Sequence, residues 1–200
     1  MFTIKYLFIM LLLAIRNKKY NNEYIPFKGI KDIDFKTKNK KMYNYLLSNF
    51  NKSILLDYYL AILNVESNGD FYHNQIRYEV NYCNSLSQSI KNLLNNYGIN
   101  CSNYGSAGIS QILPDNFIII MKNKINIDIN KDFYEYVYKY GIIAGYYFLI
   151  DRYNRYKDIE LTIRSYNGNP YSNVTSIYFH RVKYYYDKLI KIGVIKNDRG

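Results

Sequence analysis

The chain has no tryptophan, and its 200 residues include only two cysteines, two histidines, three prolines and ten glycines. With Cys83 and Cys101 as the whole thiol supply, a thiolate zinc site lacks ligands. His73 and His180 stand far apart without ligand-like spacing, so no metal is expected. The two thiols read equally well as one short-loop disulfide in an exported chain or as two unlinked buried side chains. No glycine-rich phosphate loop or recognisable nucleic-acid motif appears, so the expectation is no cofactor and no nucleic-acid partner. The absence of an internal repeat, and of any useful alternating apolar pattern, argues against a solenoid or a β-rich domain. Acidic residues are also scarce, 16 against 27 Lys and Arg, for a formal net charge of +11. The basic residues are scattered, and A/T-rich coding, which enriches Lys, Asn, Ile and Tyr together, accounts for the excess as readily as an anionic partner does.

Apolar residues make up 48% of the chain, enough for one core. Residues 1–15 read MFTIKYLFIMLLLAI, in which Lys5 precedes an apolar run from Tyr6 to Ile15 that is short for a membrane span. Residues 1–20 therefore read as a secretory signal. Retention as an N-terminal anchor is the alternative, because no small-x-small cleavage site lies near Ala14 and Arg16, Lys18 and Lys19 follow the run. No lipobox cysteine follows. Polar, basic residues 21–41, with Pro26 and Gly29, read as a linker, which places one folded domain at 42–195.

Helical spacing dominates that domain. Ser53 is a suitable N-cap for a helix through Ser67, with Leu55, Tyr59, Ile62, Leu63 and Glu66 on one stripe and Asn68-Gly69 as the stop. Residues 75–104 are Asn- and Ser-rich around a helical stretch, Leu86 to Leu94. Gly105, Ala107 and Gly108 mark a tight loop, and Pro114 opens a helix through Phe117 to Met121. Asp132 is placed to cap a longer helix to Tyr153, which Gly141 and Gly145 either bend or open to another backbone. Asp158 caps a helix to Tyr166, Asn167-Gly168-Asn169-Pro170 ends it, and Val174 to Ile192 forms a Tyr-rich final helix. The fold class is mostly α.

Glu66 is unusual because it combines an apolar stripe with a helix C-terminus, and both disfavour its ionised form. A carboxyl group kept protonated near neutral pH is what a general acid acting on a glycosidic oxygen requires; lysozyme is the established example of this pattern.

Three motifs follow in order: Glu66-Ser67-Asn68-Gly69; Gly105-Ser106-Ala107-Gly108-Ile109-Ser110-Gln111-Ile112-Leu113-Pro114; and Ser165-Tyr166-Asn167-Gly168-Asn169-Pro170. Together they resemble the soluble lytic transglycosylase family, whose E-S, G-x-x-Q-x-x-P and A-Y-N motifs occur in this order. A weaker fourth pattern of that family, N-x-x-x-G-x-x-Y-L, is met by Gly145, Tyr147 or Phe148, and Leu149, with Gly141 where Asn is usual. Tyr178, Val182 and Tyr186 fit the aromatic helix that follows. The resemblance spans Leu55 to Leu189. It departs from the family at Ser110, where Met is common, at Ser165, where Ala is usual, and in the 45 positions between Glu66 and Gln111, the longer gap being the Cys83 to Cys101 excursion.

The resemblance implies a lysozyme-like single catalytic domain that cuts the β-1,4 bond between MurNAc and GlcNAc of peptidoglycan and closes a 1,6-anhydro sugar. It gives Glu66 the acid and base roles, with Tyr166 donating a hydrogen bond beside it. Ser67, Ser110, Gln111 and Asn167 become candidate substrate contacts. Two alternatives remain at this point: hydrolysis by the same fold, and a non-catalytic wall-binding or assembly protein. The expected partner is the glycan strand, in the periplasm or cell envelope, alone or within an envelope-spanning secretion, conjugation or phage machine.

Overall fold

The computed structural model describes residues 34–69, 71, 77, 81–103, 105–127, 129 and 133–196. The expected signal or anchor, most of the expected linker, His73 and the proposed cap Asp132 lie outside the described residues. In chain order the helices are α1 (Phe35–Asn49), α2 (Ile54–Glu66), α3 (Tyr82–Ser85), α4 (Gln88–Asn96), α5 (Pro114–Ile120), α6 (Phe133–Tyr156), α7 (Ile159–Asn167) and α8 (Asn173–Lys191). A 3-10 turn occupies Cys101–Asn103, and α5 widens into a π-helical turn, Met121–Ile125. No strand occurs among the described residues, so the protein is all-α. None of these helices is long and apolar enough to cross a membrane.

The described residues group into two compact units, one within 77–142 and the other within 34–71 together with 143–196. The boundary falls within α6. The second unit is built around α2, which is buried almost all round: Leu55 through Val65 are all buried. Ser53 caps it, its hydroxyl accepting from the Leu56 amide at 3.1 Å and lying 3.1 Å from the Tyr146 hydroxyl. The helix stops where Asn68 (φ 54°) and Gly69 (φ 74°) turn left-handed, and the Gly69 amide donates to the Asn64 carbonyl at 2.8 Å. A glycine meets that geometry without a side-chain clash.

Helix α8 packs along α2, and Tyr58 stacks on Tyr186 with ring centroids 4.1 Å apart. Helix α1 packs on α2 as well, and begins at Phe35, inside the stretch read as linker. Asp34 caps it, and its buried positions are Asn39, Met42, Tyr43 and Leu46. Its buried stripe opens on an asparagine and sits in a lysine-rich run, which hides the helical period from a reading based on apolar residues alone. Its polar positions bind α2 directly. The Tyr43 hydroxyl donates to Asp57, which is 4% exposed, and the Asn64 amide donates to Asn39 Oδ1 at 2.7 Å.

In the first unit α4 packs on α5, and α3 lies against the 3-10 turn, to which the Cys83–Cys101 disulfide ties it. The Tyr82 hydroxyl donates to Asp115 at 2.7 Å in the first turn of α5, and the Phe117 and Phe133 rings meet edge to face at 5.5 Å.

Removing a donor from a buried carboxylate weakens the compensation for its desolvation, so Tyr43→Phe should cost about 1–3 kcal/mol of stability. The shift in the urea midpoint measures this, and Tyr43→Phe in an Asp57→Asn background should cost clearly less.

Candidate active site

Glu66 is the last residue of α2 and is half-buried. Its Oε1 accepts a 2.6 Å hydrogen bond from the hydroxyl of Tyr178, on the second turn of α8. Tyr178 is 5% exposed, and its phenol is held well above its ordinary range, first by burial and then by the charge and hydrogen bond of Glu66. It therefore remains a donor throughout the neutral range and up to its raised titration. The phenol of Tyr166, on α7, is close enough to raise it further, while the Arg181 guanidinium pulls the other way. Glu66, Tyr166 and Tyr178, from three helices of one unit, therefore form an interacting cluster.

The rest of the cluster's wall is fixed locally. The Tyr166 ring meets the Phe148 ring at 5.3 Å and 68°, and the Arg152 guanidinium lies 4.4 Å from the centre of the Phe148 ring. Ser67 caps α2, and its hydroxyl donates back to the Leu63 carbonyl at 2.7 Å. Asn167 ends α7 and is exposed. Gly168 follows at φ 150° and ψ −141°, a conformation open essentially to glycine alone. The chain then returns to α8, where the Thr175 hydroxyl donates to the Asn169 carbonyl at 2.6 Å and Arg164 donates to the Ser172 carbonyl at 3.0 Å. This turn brings Tyr166 and Tyr178 to neighbouring positions.

Ser110 and Gln111 belong to the other unit. There Ala107 and Ile112 exchange two backbone hydrogen bonds, at 3.0 and 3.2 Å, closing a tight turn. Gln111 sits in it at φ 48°, unusual for a residue with a side chain. Its amide secures the conformation, donating to the Gly108 carbonyl at 2.6 Å and accepting from the Ser106 hydroxyl at 3.1 Å. Ser110 is 0% exposed and its hydroxyl donates to the Gly141 carbonyl at 2.8 Å. Its expected sugar contact is thereby corrected: Ser110 fastens the turn to α6 and offers no surface to a ligand.

Tyr178 is the site residue whose role the sequence did not disclose. The available signal was its place on the buried stripe of α8 with Val182 and Tyr186, a stripe that ends in a hydroxyl facing the carboxylate. Among the described residues no group of three or more His, Cys, Asp and Glu side chains is placed to hold a metal.

The chemistry open to this cluster is proton transfer at Glu66. The carboxyl group is only half-buried and so open to solvent on one side, while a buried phenol fixes one of its oxygens. Comparison of the chain with protein-family models, curated proteins and solved structures gives no match.

The Tyr178 phenol titrates near 10.0 when unfolded and higher when folded. Its contribution to stability is complete below pH 10 and is lost as pH rises through the folded value. Tyr178→Phe should therefore lower stability by about 1 kcal/mol at pH 7 and flatten the fall of the thermal midpoint above pH 10. Melting curves from pH 7 to 11 check both.

Proposed function

We propose that the protein is a peptidoglycan lytic transglycosylase with a lysozyme-like catalytic fold. The observation that carries the reading is the hydrogen bond from Tyr178 to Glu66, a single carboxyl group held by a buried tyrosine, with the Tyr166 phenol near enough to act on Tyr178. The three ordered motifs and the all-α architecture support it. So does the Cys83–Cys101 disulfide, a bond that suits an oxidising compartment outside the cytoplasm.

In this mechanism Glu66 protonates the glycosidic oxygen between MurNAc and GlcNAc, and the C1–O bond breaks with the electron pair passing to the leaving oxygen. The Glu66 carboxylate then takes the proton of the C6 hydroxyl of the same MurNAc, whose oxygen closes on C1 to give the 1,6-anhydro sugar. Tyr178 holds the carboxyl group through both steps, Tyr166 stabilises the developing charge, and Asn167 binds hydroxyl or N-acetyl groups.

Using the substrate's own hydroxyl removes the need for a second carboxylate. Asp57 lies nine residues before Glu66 on α2, about 13.5 Å along the axis at 1.5 Å per residue. That exceeds the roughly 5–9.5 Å over which glycosidase carboxyl pairs cooperate. Asp57 is also buried and occupied by Tyr43. Asp70 lies outside the described residues.

Mass spectrometry of the soluble fragments released from purified peptidoglycan tests the reading. The unmutated chain should yield anhydro-muropeptides, and Glu66→Gln should reduce their release by about 10²-fold or more. Products heavier by one water mean hydrolysis by Glu66-activated water. Binding to the wall without release by either protein means a non-catalytic role.

A further inference from the structure

Helix α8 has an inward and an outward apolar stripe. The inward one, Tyr178, Val182, Tyr186 and Leu189, is buried. The outward one runs through Val174, Ile177 and Tyr184, with Tyr171 in the turn just before the helix. At about 100° per residue, Val174, Ile177, Arg181 and Tyr184 fall within an arc of about 80° over a length of about 15 Å. These are not scattered surface hydrophobics. Among the described residues, Tyr171, Val174, Ile177 and Tyr184 are 72, 70, 64 and 63% exposed, whereas the other exposed large hydrophobics, Leu47, Ile54 and Ile119, lie on three different helices at 38 to 47%.

The segment is held from behind. The Thr175 amide donates to the Ser172 cap at 3.2 Å, the Tyr171 amide donates to Asn169 Oδ1 at 3.0 Å, and Tyr186 stacks on Tyr58 of α2. The stripe cannot turn inward without breaking these contacts. Basic residues accompany it. Helix α8 carries Arg181, Lys183, Lys188 and Lys191 against one acid, Asp187, which Lys183 engages at 2.7 Å. Arg181 and Lys191 are exposed, and among the described residues neither has an ion-pair partner.

We propose that the outward face of α8 docks on an anionic lipid surface. The branched aliphatic side chains at the centre of the stripe enter the acyl boundary, the tyrosines at its two ends sit at headgroup level, and Arg181 and Lys191 meet lipid phosphates. The same pattern disfavours other occupants. A second copy paired symmetrically along this face sets Arg181 and Lys191 among like charges, with the one acid already engaged. A sugar chain needs ring faces or hydrogen-bonding groups, and Val174 and Ile177 offer neither at the middle of the stripe. Tyr178 belongs to the same helix, so docking holds the Glu66 cluster within about 10 Å, one helix diameter, of the lipid surface. The inference does not rest on any particular reaction at Glu66.

Because the chain has no tryptophan, a single one introduced on the stripe reports its own surroundings alone. Full-length Ile177→Trp is compared with full-length Ile119→Trp, on α5, using vesicles of phosphatidylglycerol in phosphatidylcholine and of pure phosphatidylcholine. On the anionic vesicles the Ile177→Trp emission should shift to the blue and be quenched about twofold or more by brominated acyl chains, while Ile119→Trp changes little. Adding Arg181→Gln and Lys191→Gln to Ile177→Trp should raise the lipid concentration at half-maximal quenching about tenfold. In the unmutated chain, nitroxide-labelled lipid should broaden the methyl NMR signals of Val174 and Ile177 and spare those of Ile119, a readout that needs no substitution. Attachment through the N-terminal apolar run alone would sediment both proteins with the vesicles yet leave Ile177→Trp unquenched, which overturns the proposal. So would equal quenching by pure phosphatidylcholine. A blue shift of Ile177→Trp that grows with protein concentration without lipid would assign the face to self-association, and one produced by soluble peptidoglycan fragments but not by vesicles would assign it to glycan; either result overturns the lipid assignment.

Discussion

A helix buried on every side has no water for its polar side chains, and each must find a partner on a neighbouring element. In α2 those side chains are Asp57, Asn64 and, at its end, Glu66. Tyr43 and Asn39 of α1 serve the first two, and Tyr178 of α8 serves the third. The cap residue Ser53 meets Tyr146 of α6 in the same way. Apolar burial holds these helices together, but it is tolerant of small slides and rotations. The hydrogen bonds select one arrangement among them, because a shift of one residue along α1 or α8 would separate a donor from its acceptor.

The aromatic residues add a second layer of selection. Tyr58 and Tyr186 stack nearly parallel, at 9° between planes, and Phe50 and Tyr59 flank the Tyr146 ring at 4.4 and 5.3 Å. In a chain without tryptophan, tyrosine supplies both the bulk of the core and the polar tips that reach into it. Tyr43, Tyr146 and Tyr178 illustrate this double use: each ring fills space between helices while its hydroxyl meets a polar group on or beside α2. Burial accordingly raises the phenol titrations of Tyr146 and Tyr178.

Local signals carried the legible part of the fold. Ser53 and Asn68-Gly69 bound α2 where their capping chemistry puts them, and Asp158 and Gly168 bound α7 in the same way. These signals act over three or four residues, so one sequence contains them whole. Helix α1 was less legible because its inward face includes Asn39, a polar residue whose partner, Asn64, is 25 positions away. The candidate site divides along the same line. Glu66 stood out because stripe and helix end coincide within one turn. Tyr178, 112 positions from Glu66, was one tyrosine among 26 until the helices were packed. Ser110 shows the converse: a motif position read as facing ligand donates instead to Gly141, 31 residues on, an arrangement no local pattern encodes.

The tyrosine grip has a consequence for any reaction in which one carboxyl group serves first as acid and then as base. Such a group changes charge twice per turnover, and a partner able only to donate or only to accept would lose its contact in one of the two states. A phenol has a donor hydrogen and acceptor lone pairs. It donates to the Glu66 carboxylate, and its oxygen can accept from the protonated carboxyl group after a small rotation. Burial keeps Tyr178 itself from ionising, so it does not compete for the proton being transferred. A lysine in its place would favour the carboxylate and weaken the acid, and an apolar residue would let the side chain turn away. The tyrosine thus fixes the position of Glu66 while leaving both of its protonation states usable.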